Sequence, residues 1–180
     1  ILKKQIDNYI SEINGILGAD RVLFGRFHNG SFWVDGMPWI KLSVYNEVVK
    51  HEGISYIAEQ VQEISVEKLV DELTLLEEHG YISILRSNVE VVGCARHLDS
   101  IGVGGITQLL VKDRRKRCIG IISAQYLDET KLRFVNDLDS NQYKRLFDLI
   151  GQISISIEKA KKESKQGIFM KTLRKLTGRD

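Results

Sequence analysis

Cysteine, proline and long apolar runs are all scarce in this 180-residue chain, and each scarcity removes a class of protein. The two cysteines, Cys94 and Cys118, lie in apolar surroundings and match neither a metal-ligand spacing nor a small disulfide framework. They are expected to be reduced, buried side chains of a cytoplasmic protein. Pro38 is the single proline, so a proline-rich linker is excluded. No apolar run approaches the roughly 18 residues that would cross a bilayer. The first residues, Ile1-Leu2-Lys3-Lys4, run straight into an amphipathic pattern, so no signal peptide is read. The chain opens without Met, which leaves an upstream segment open, a membrane anchor included. Catalytic signatures are missing too. No Gly-x-Ser-x-Gly elbow, P-loop or Gly-x-Gly-x-x-Gly after a strand occurs, and the expectation is that the protein is not an enzyme.

What is present is the composition of a globular domain. Hydrophobic residues make up 43% and charged residues 28%, enough to bury a core and stay soluble. The net charge of +2 hides an asymmetry. Residues 159–180 hold eight Lys or Arg against Glu163 and Asp180, so the tail is strongly basic and the body mildly acidic. The expected division is a domain over 1–163 and a basic amphipathic tail over 164–180.

Periodicity sets out the elements. Leu2, Ile6, Tyr9, Ile10, Ile13, Ile16 and Leu17 recur at three- and four-residue steps, predicting a helix that stops at Gly18. Arg21–His28 reads as a strand, with Val22, Phe24, Arg26 and His28 on one face and Leu23, Gly25 and Phe27 on the other. Asn29-Gly30 is a strong hairpin-turn signal, which makes Ser31–Val34 the returning strand. Asp35–Pro38 is a second turn, Trp39–Tyr45 is extended, and a short helix is expected around Asn46–His51. Val66–His79 is a helix closed by Gly80, and Tyr81–Arg86 a strand. Residues 93–104 form a glycine-flanked loop. Ile106–Lys112 and Cys118–Tyr126 flank the turn Asp113–Arg117 as an antiparallel hairpin. A long helix starts at Ser140 as N-cap and carries Leu146, Leu149, Ile150, Ile153 and Ile157. This order is satisfied by an α+β domain: an antiparallel sheet with helices on both faces and the N- and C-terminal helices packed together.

Three pieces of this pattern resemble the GAF superfamily: the opening helix leading into Ala19-Asp20-Arg21-Val22, the strand Cys118-Ile-Gly-Ile-Ile-Ser-Ala124, and the helix containing Ile150–Glu158. Arg26-Phe27-His28-Asn29-Gly30 is similar to a signature in a small group of GAF-like proteins, many encoded by bacteriophages. The resemblance implies a small-molecule pocket over the sheet and a homodimer formed through the terminal helices. One enzyme class of that fold uses reactive loop cysteines, but Cys118 begins an apolar strand, so that pattern does not carry over.

The candidate binding residues gather near the first strands. Arg26, His28 and Asn29, with Lys41 and Ser43, could hydrogen-bond a small anionic or nucleotide-like ligand. The alternative is that Asn29-Gly30 only turns and His28 caps it. Trp39 and Tyr45, with Trp33, could stack a planar group, or simply anchor a core. Arg96, beside His97 in the glycine-flanked loop, could close over a phosphate, or be a solvated charge. Glu47 and His51 have i, i+4 spacing but no third ligand, so no metal is expected. The residues do not identify a cofactor. The cluster Asp113–Arg117 is most simply a solvated tip. Ile168-Phe-Met-Lys-Thr-Leu-Arg-Lys-Leu176 makes a basic amphipathic helix that could meet a protein partner, nucleic acid or a membrane surface, or pack on its own domain. Two functions are therefore expected: a non-catalytic ligand-binding signalling module, or a structural or interaction component, such as one from a phage particle.

Overall fold

The computed structural model describes residues 1–32, 38–88 and 101–178, without side chains at 29–32, 38 and 39. Its elements are helix α1 (Leu2–Leu17), strands β1 (Arg21–Phe32), β2 (Pro38–Val49) and β3 (Ile64–Ser65), helix α2 (Val70–His79), strands β4 (Tyr81–Leu85), β5 (Gly105–Lys112) and β6 (Cys118–Tyr126), and helix α3 (Ser140–Thr177). The strands form one antiparallel sheet in the order β3-β2-β1-β6-β5-β4.

One face of the sheet carries α1 and α3. The predicted stripe of α1 buries Ile6, Ile10, Ile13 and Leu17, and that of α3 buries Leu146, Leu149, Ile150, Ile153 and Ile157. Both close on Val22, Phe24, Leu109, Val111, Ile122 and Ala124 from the central strands. Each such aliphatic side chain, taken fully out of water, contributes on the order of 1.5–3 kcal/mol. Gly18 ends α1 in the left-handed conformation, φ 64°, where a Cβ would be penalised. The buried Tyr126 hydroxyl donates to the Leu17 carbonyl oxygen at 2.8 Å, satisfying the helix end from the sheet. Arg145 on α3 pairs with Glu12 on α1 at 2.6 Å, so the terminal helices are joined at the surface as well.

The other face is covered by α2 and the segments before it. Leu76, Leu69 and Leu73 pack on Leu42, Leu110 and Ile121, while Ile57 and Val61 pack on Leu23 and Val44. The α+β architecture with helices on both faces is as expected from the sequence.

Three local expectations are corrected. Asn29 and Gly30 do not turn the chain: β1 runs through them to Phe32, and Asn29 pairs with Ile40. Ser31 and Phe32 consequently end β1 and do not begin a returning strand; the expected turn Asp35–Pro38 falls largely outside the described residues, and the returning strand starts at Pro38. Ladder hydrogen bonds to β2 outweigh a local turn preference. Asn46–Val49 is strand, not helix, because it pairs with Arg21–Phe24 and its β-branched Val48 and Val49 suit a pleated surface. The N-cap of α3 is Asp139, whose carboxylate accepts from Gln142 N while the Gln142 side chain accepts from Asp139 N. The basic tail is helical, as its spacing indicates. It continues α3 without a break, and residues 161–178 are exposed throughout.

Candidate functional site

Beneath α2 the sheet does not close completely. A cavity of about 590 Å³ lies between the inner face of the sheet and the roof formed by Val61–Ser65, Lys68, Leu69 and Glu72. Its walls are apolar: Leu23 from β1, Leu42 and Val44 from β2, Ile106 from β5 and Ile121 from β6. Gly25 sits on the floor. A Cβ there would approach the Leu42 side chain to 3.1 Å, so its absence helps keep the space open.

A short polar row crosses this floor. Gln108 on β5 pairs with Ser123 on β6, and Gln125 follows two residues later on the same face. Gln125 and Gln108 are each held by a charged side chain. Arg21, 3% exposed, donates through Nε to Gln125 Oε1 at 2.7 Å and through Nη1 to the Ser55 carbonyl oxygen at 2.7 Å. The Gln125 amide is thereby oriented with its NH2 as the unused donor. Burial pulls the Arg21 guanidinium below its usual pKa, with Glu47 and Asp20 opposing that shift. Glu47 Oε2 lies 4.0 Å from Arg21 Nε, and its carboxylate accepts from the backbone N–H groups of Ile57 and Ala58. Glu72, from the first turn of α2, receives the Gln108 Nε2 hydrogen bond at 3.3 Å.

The arrangement is that of a binding chamber: apolar walls for most of a ligand and a few fixed polar groups to orient it. Hydroxyl, amide and carboxylate groups are present. Among the described residues no three His, Cys, Asp or Glu side chains converge on a possible metal position. Glu47 and His51 do not form a helical pair, since Glu47 lies buried in β2 and His51 is exposed in the following turn, where Nδ1 accepts from Gly53 N at 3.2 Å.

The residues singled out in the sequence are brought together only in part. Lys41, the ladder partner of His28, borders the chamber at the sheet edge beside β3 and pairs with Glu63 at 3.4 Å. Arg26, His28, Ser43 and Tyr45 gather on the opposite, helix-bearing side. Period-2 alternation places Arg26 and His28 with Val22 and Phe24, the residues that meet α1 and α3. A bulge between Phe24 and Gly25 leaves Tyr45 as the extra residue on β2. His28 Nε2 lies 2.8 Å from Ser43 Oγ, which also accepts from Glu63 N at 2.8 Å. The Tyr45 ring meets His28 edge-on at 6.4 Å and lies 5.8 Å from the Arg26 guanidinium carbon. Arg26 and His28 border a more open recess of about 510 Å³, shared with Asp113, Arg117, Ile157 and Lys161. The side chains of Asn29 and Trp39, and Trp33 and the Arg96–His97 pair altogether, lie outside the described residues.

The hairpin tip is more ordered than a solvated cluster. Asp113 is buried, accepts from Arg115 N and Arg117 N, and pairs with Arg117 at 2.7 Å. Burial works against its ionisation, yet these hydrogen bonds and the Arg117 charge hold its pKa below the usual value. Cys118 beside it is half-buried, with its thiol on Glu77, and burial and that contact push its pKa up to about 11. Cys94 lies outside the described residues.

Sequence reasoning missed Gln108, Ser123, Gln125 and Glu72. The signal was present as polar residues alternating with apolar ones along β5 and β6, but alternation alone reads as a solvent face. Only the helix laid over that face makes it an interior.

No known family model and no curated protein matches the sequence. Solved structures do. The phycocyanobilin-bound GAF domain from a cyanobacterial phytochrome is similar with a TM-score of 0.62 and 14% identity, over 91% of this chain and 87% of that one. The blue-light absorbing form of the Thermosynechococcus elongatus PixJ GAF domain has a TM-score of 0.60 and 11% identity, covering 99% of this chain and 94% of that one. The GAF domain of a two-component sensor histidine kinase from Bacillus halodurans has a TM-score of 0.59 and 15% identity, over 91% and 98% of the two chains. At such low identity the likeness is one of architecture, and this chain has a GAF-like fold.

Proposed function

We propose that the protein is a non-catalytic, cytoplasmic, small-molecule-binding module of the sensor type. The observation that carries this reading is the chamber of about 590 Å³, roofed by Val61–Ser65, Lys68, Leu69 and Glu72 and floored by Gln108, Ser123 and Gln125. Neighbours of the same fold include a bilin-bound domain and a sensor-kinase domain, which supports a ligand-binding role. Lys41 and the exposed Lys68 at the chamber wall suit a nucleotide-like ligand with an anionic end directed outwards. The module would dimerise through α1 and α3, and a ligand would act by binding two arrangements of those helices with different affinity.

Native mass spectrometry of the gently purified protein, followed by thermal-shift screening with nucleotides and metabolites, tests this. A dimer with a defined extra mass, or a reproducible rise in melting temperature, is expected. A clean apo protein that no compound stabilises would overturn it. The Arg26–His28 recess is a separate proposal for a second anion-binding position. His28→Ala should weaken binding if the ligand sits there, whereas Ser123→Leu should do so if it occupies the chamber.

A second reading has its own observation. The exposed end of α3 presents Ile168, Phe169, Leu173 and Leu176 among basic residues. This favours an interaction component, for which the Phe27–Gly30 resemblance suggests a phage setting. Deleting residues 164–180 should then abolish partner binding while the body stays folded. Normal partner binding by the folded truncation would remove this reading.

A further inference from the structure

Resting on the chamber reading, we infer that the inner end of the chamber recognises a group with two adjacent N–H donors, such as an amidine, a guanidine or the amino-lactam edge of a purine. Two independent deficits in the same place point to it. Glu72 is 6% exposed, yet its carboxylate has one hydrogen bond, from Gln108 Nε2 at 3.3 Å, and no ion pair among the described residues. A buried carboxylate is ordinarily paired with a cation or held by several donors, because removing it from water is costly. Glu72 stands in the first turn of α2, whose dipole favours a negative charge there, but that does not supply donors to its remaining lone pairs.

The second deficit is Gln108 Oε1, which is buried with no hydrogen-bond partner. The amide cannot be turned over to relieve it. A carboxylate only accepts, so the NH2 must face Glu72 and the carbonyl oxygen must face elsewhere. Two acceptors, one charged and one neutral, are thus left beside each other within the chamber. Both residues line the chamber. A planar group with paired N–H donors satisfies both at once, with charge assistance at Glu72. The Gln125 NH2, left unused by the Arg21 contact, and the Ser123 hydroxyl supply donors along the same floor for acceptors elsewhere on the ligand.

The test uses guanosine and benzamidine as donor-pair probes, with benzoate as an acid of matching shape, titrated calorimetrically into the full chain. Wild type should bind at least one donor-pair probe and not benzoate. Glu72→Gln and Gln108→Leu should each weaken that binding about tenfold or more. Ser123→Phe, which fills the chamber, should abolish it. Equal binding by wild type and Glu72→Gln, tighter binding of benzoate, or no binding of either donor-pair probe at millimolar concentration would overturn the assignment. Loss of binding in Ser123→Phe with no effect of Glu72→Gln would spare the chamber and sink only the ligand class. Unchanged binding in Ser123→Phe would sink the chamber itself. An unliganded melting curve gives a second readout. Glu72→Gln should melt at the same or a higher temperature, since it removes a buried, poorly compensated charge, and a clear fall would show that Glu72 is already satisfied without a ligand.

Discussion

At the residue scale, the tightest constraint is where β1 and β6 touch. A Cβ on Gly120 would lie 2.4 Å from the Gly25 carbonyl oxygen and 2.7 Å from the Phe24 ring, neither of which can move without disturbing the ladder. Gly120→Ala should therefore destabilise the fold by about 1–3 kcal/mol, read from the midpoint of urea unfolding. Cys118 offers a chemical check on burial. With its pKa near 11, its thiol should react slowly with maleimide at neutral pH. In a Cys94→Ser background the rate should climb about tenfold per pH unit until the thiol ionises. A fast reaction at pH 7 would contradict the Glu77 contact.

At the element scale, α3 is set by its start. The reciprocal Asp139–Gln142 hydrogen bonds satisfy backbone donors that the helix itself cannot, and Asp139→Ala should cost about 1 kcal/mol of unfolding free energy. The β5–β6 turn depends on Asp113 in the same way, but with a pH signature. Its pKa is lowered by folding, so its contribution is fully present above the unfolded value of about 3.9 and is lost as pH falls through the folded value. Asp113→Asn should flatten the acid limb of the stability curve and leave the shape of the curve between pH 6 and 8 unchanged. An acid limb unaltered by the substitution would mean the turn is not organised by that carboxylate.

At the scale of the whole molecule, the sheet serves two different neighbours. One face is covered by α1 and α3, and the other by α2 and the segments before it, with space left beneath them. Because the described residues beyond 160 are exposed, ending the chain at Glu163 should remove helical signal from circular dichroism while shifting the melting temperature by no more than a few degrees. A collapse of the fold on truncation would show that the tail packs on the body or on a second copy. Arg21→Met is the opposite case. It removes the cation beside the buried Glu47 carboxylate together with the hydrogen bonds to Gln125 and the Ser55 carbonyl, and the expected loss is about 3–5 kcal/mol, measured by chemical denaturation.

The sequence by itself determined the helical stripes of α1 and α3, the β5–β6 hairpin and the α+β layering, since these rest on periodicities of 3.6 and 2 that local chemistry enforces. It also marked Arg26, His28, Asn29, Lys41 and Ser43 as one candidate set and Trp33, Trp39 and Tyr45 as another, and of these Arg26, His28, Ser43 and Tyr45 lie together. Tertiary structure decided which side of the sheet they face, because a strand shows two faces and only packing chooses the one that becomes a chamber. It likewise decided that Asn29-Gly30 stays in a strand and that Asn46–Val49 pairs with β1: long-range ladders outbid local preference there. The chamber's polar floor became a candidate site only when α2 covered it. An alternating Gln or Ser is ordinary on a wet surface, and acquires meaning when its hydrogen bonds must be found without water.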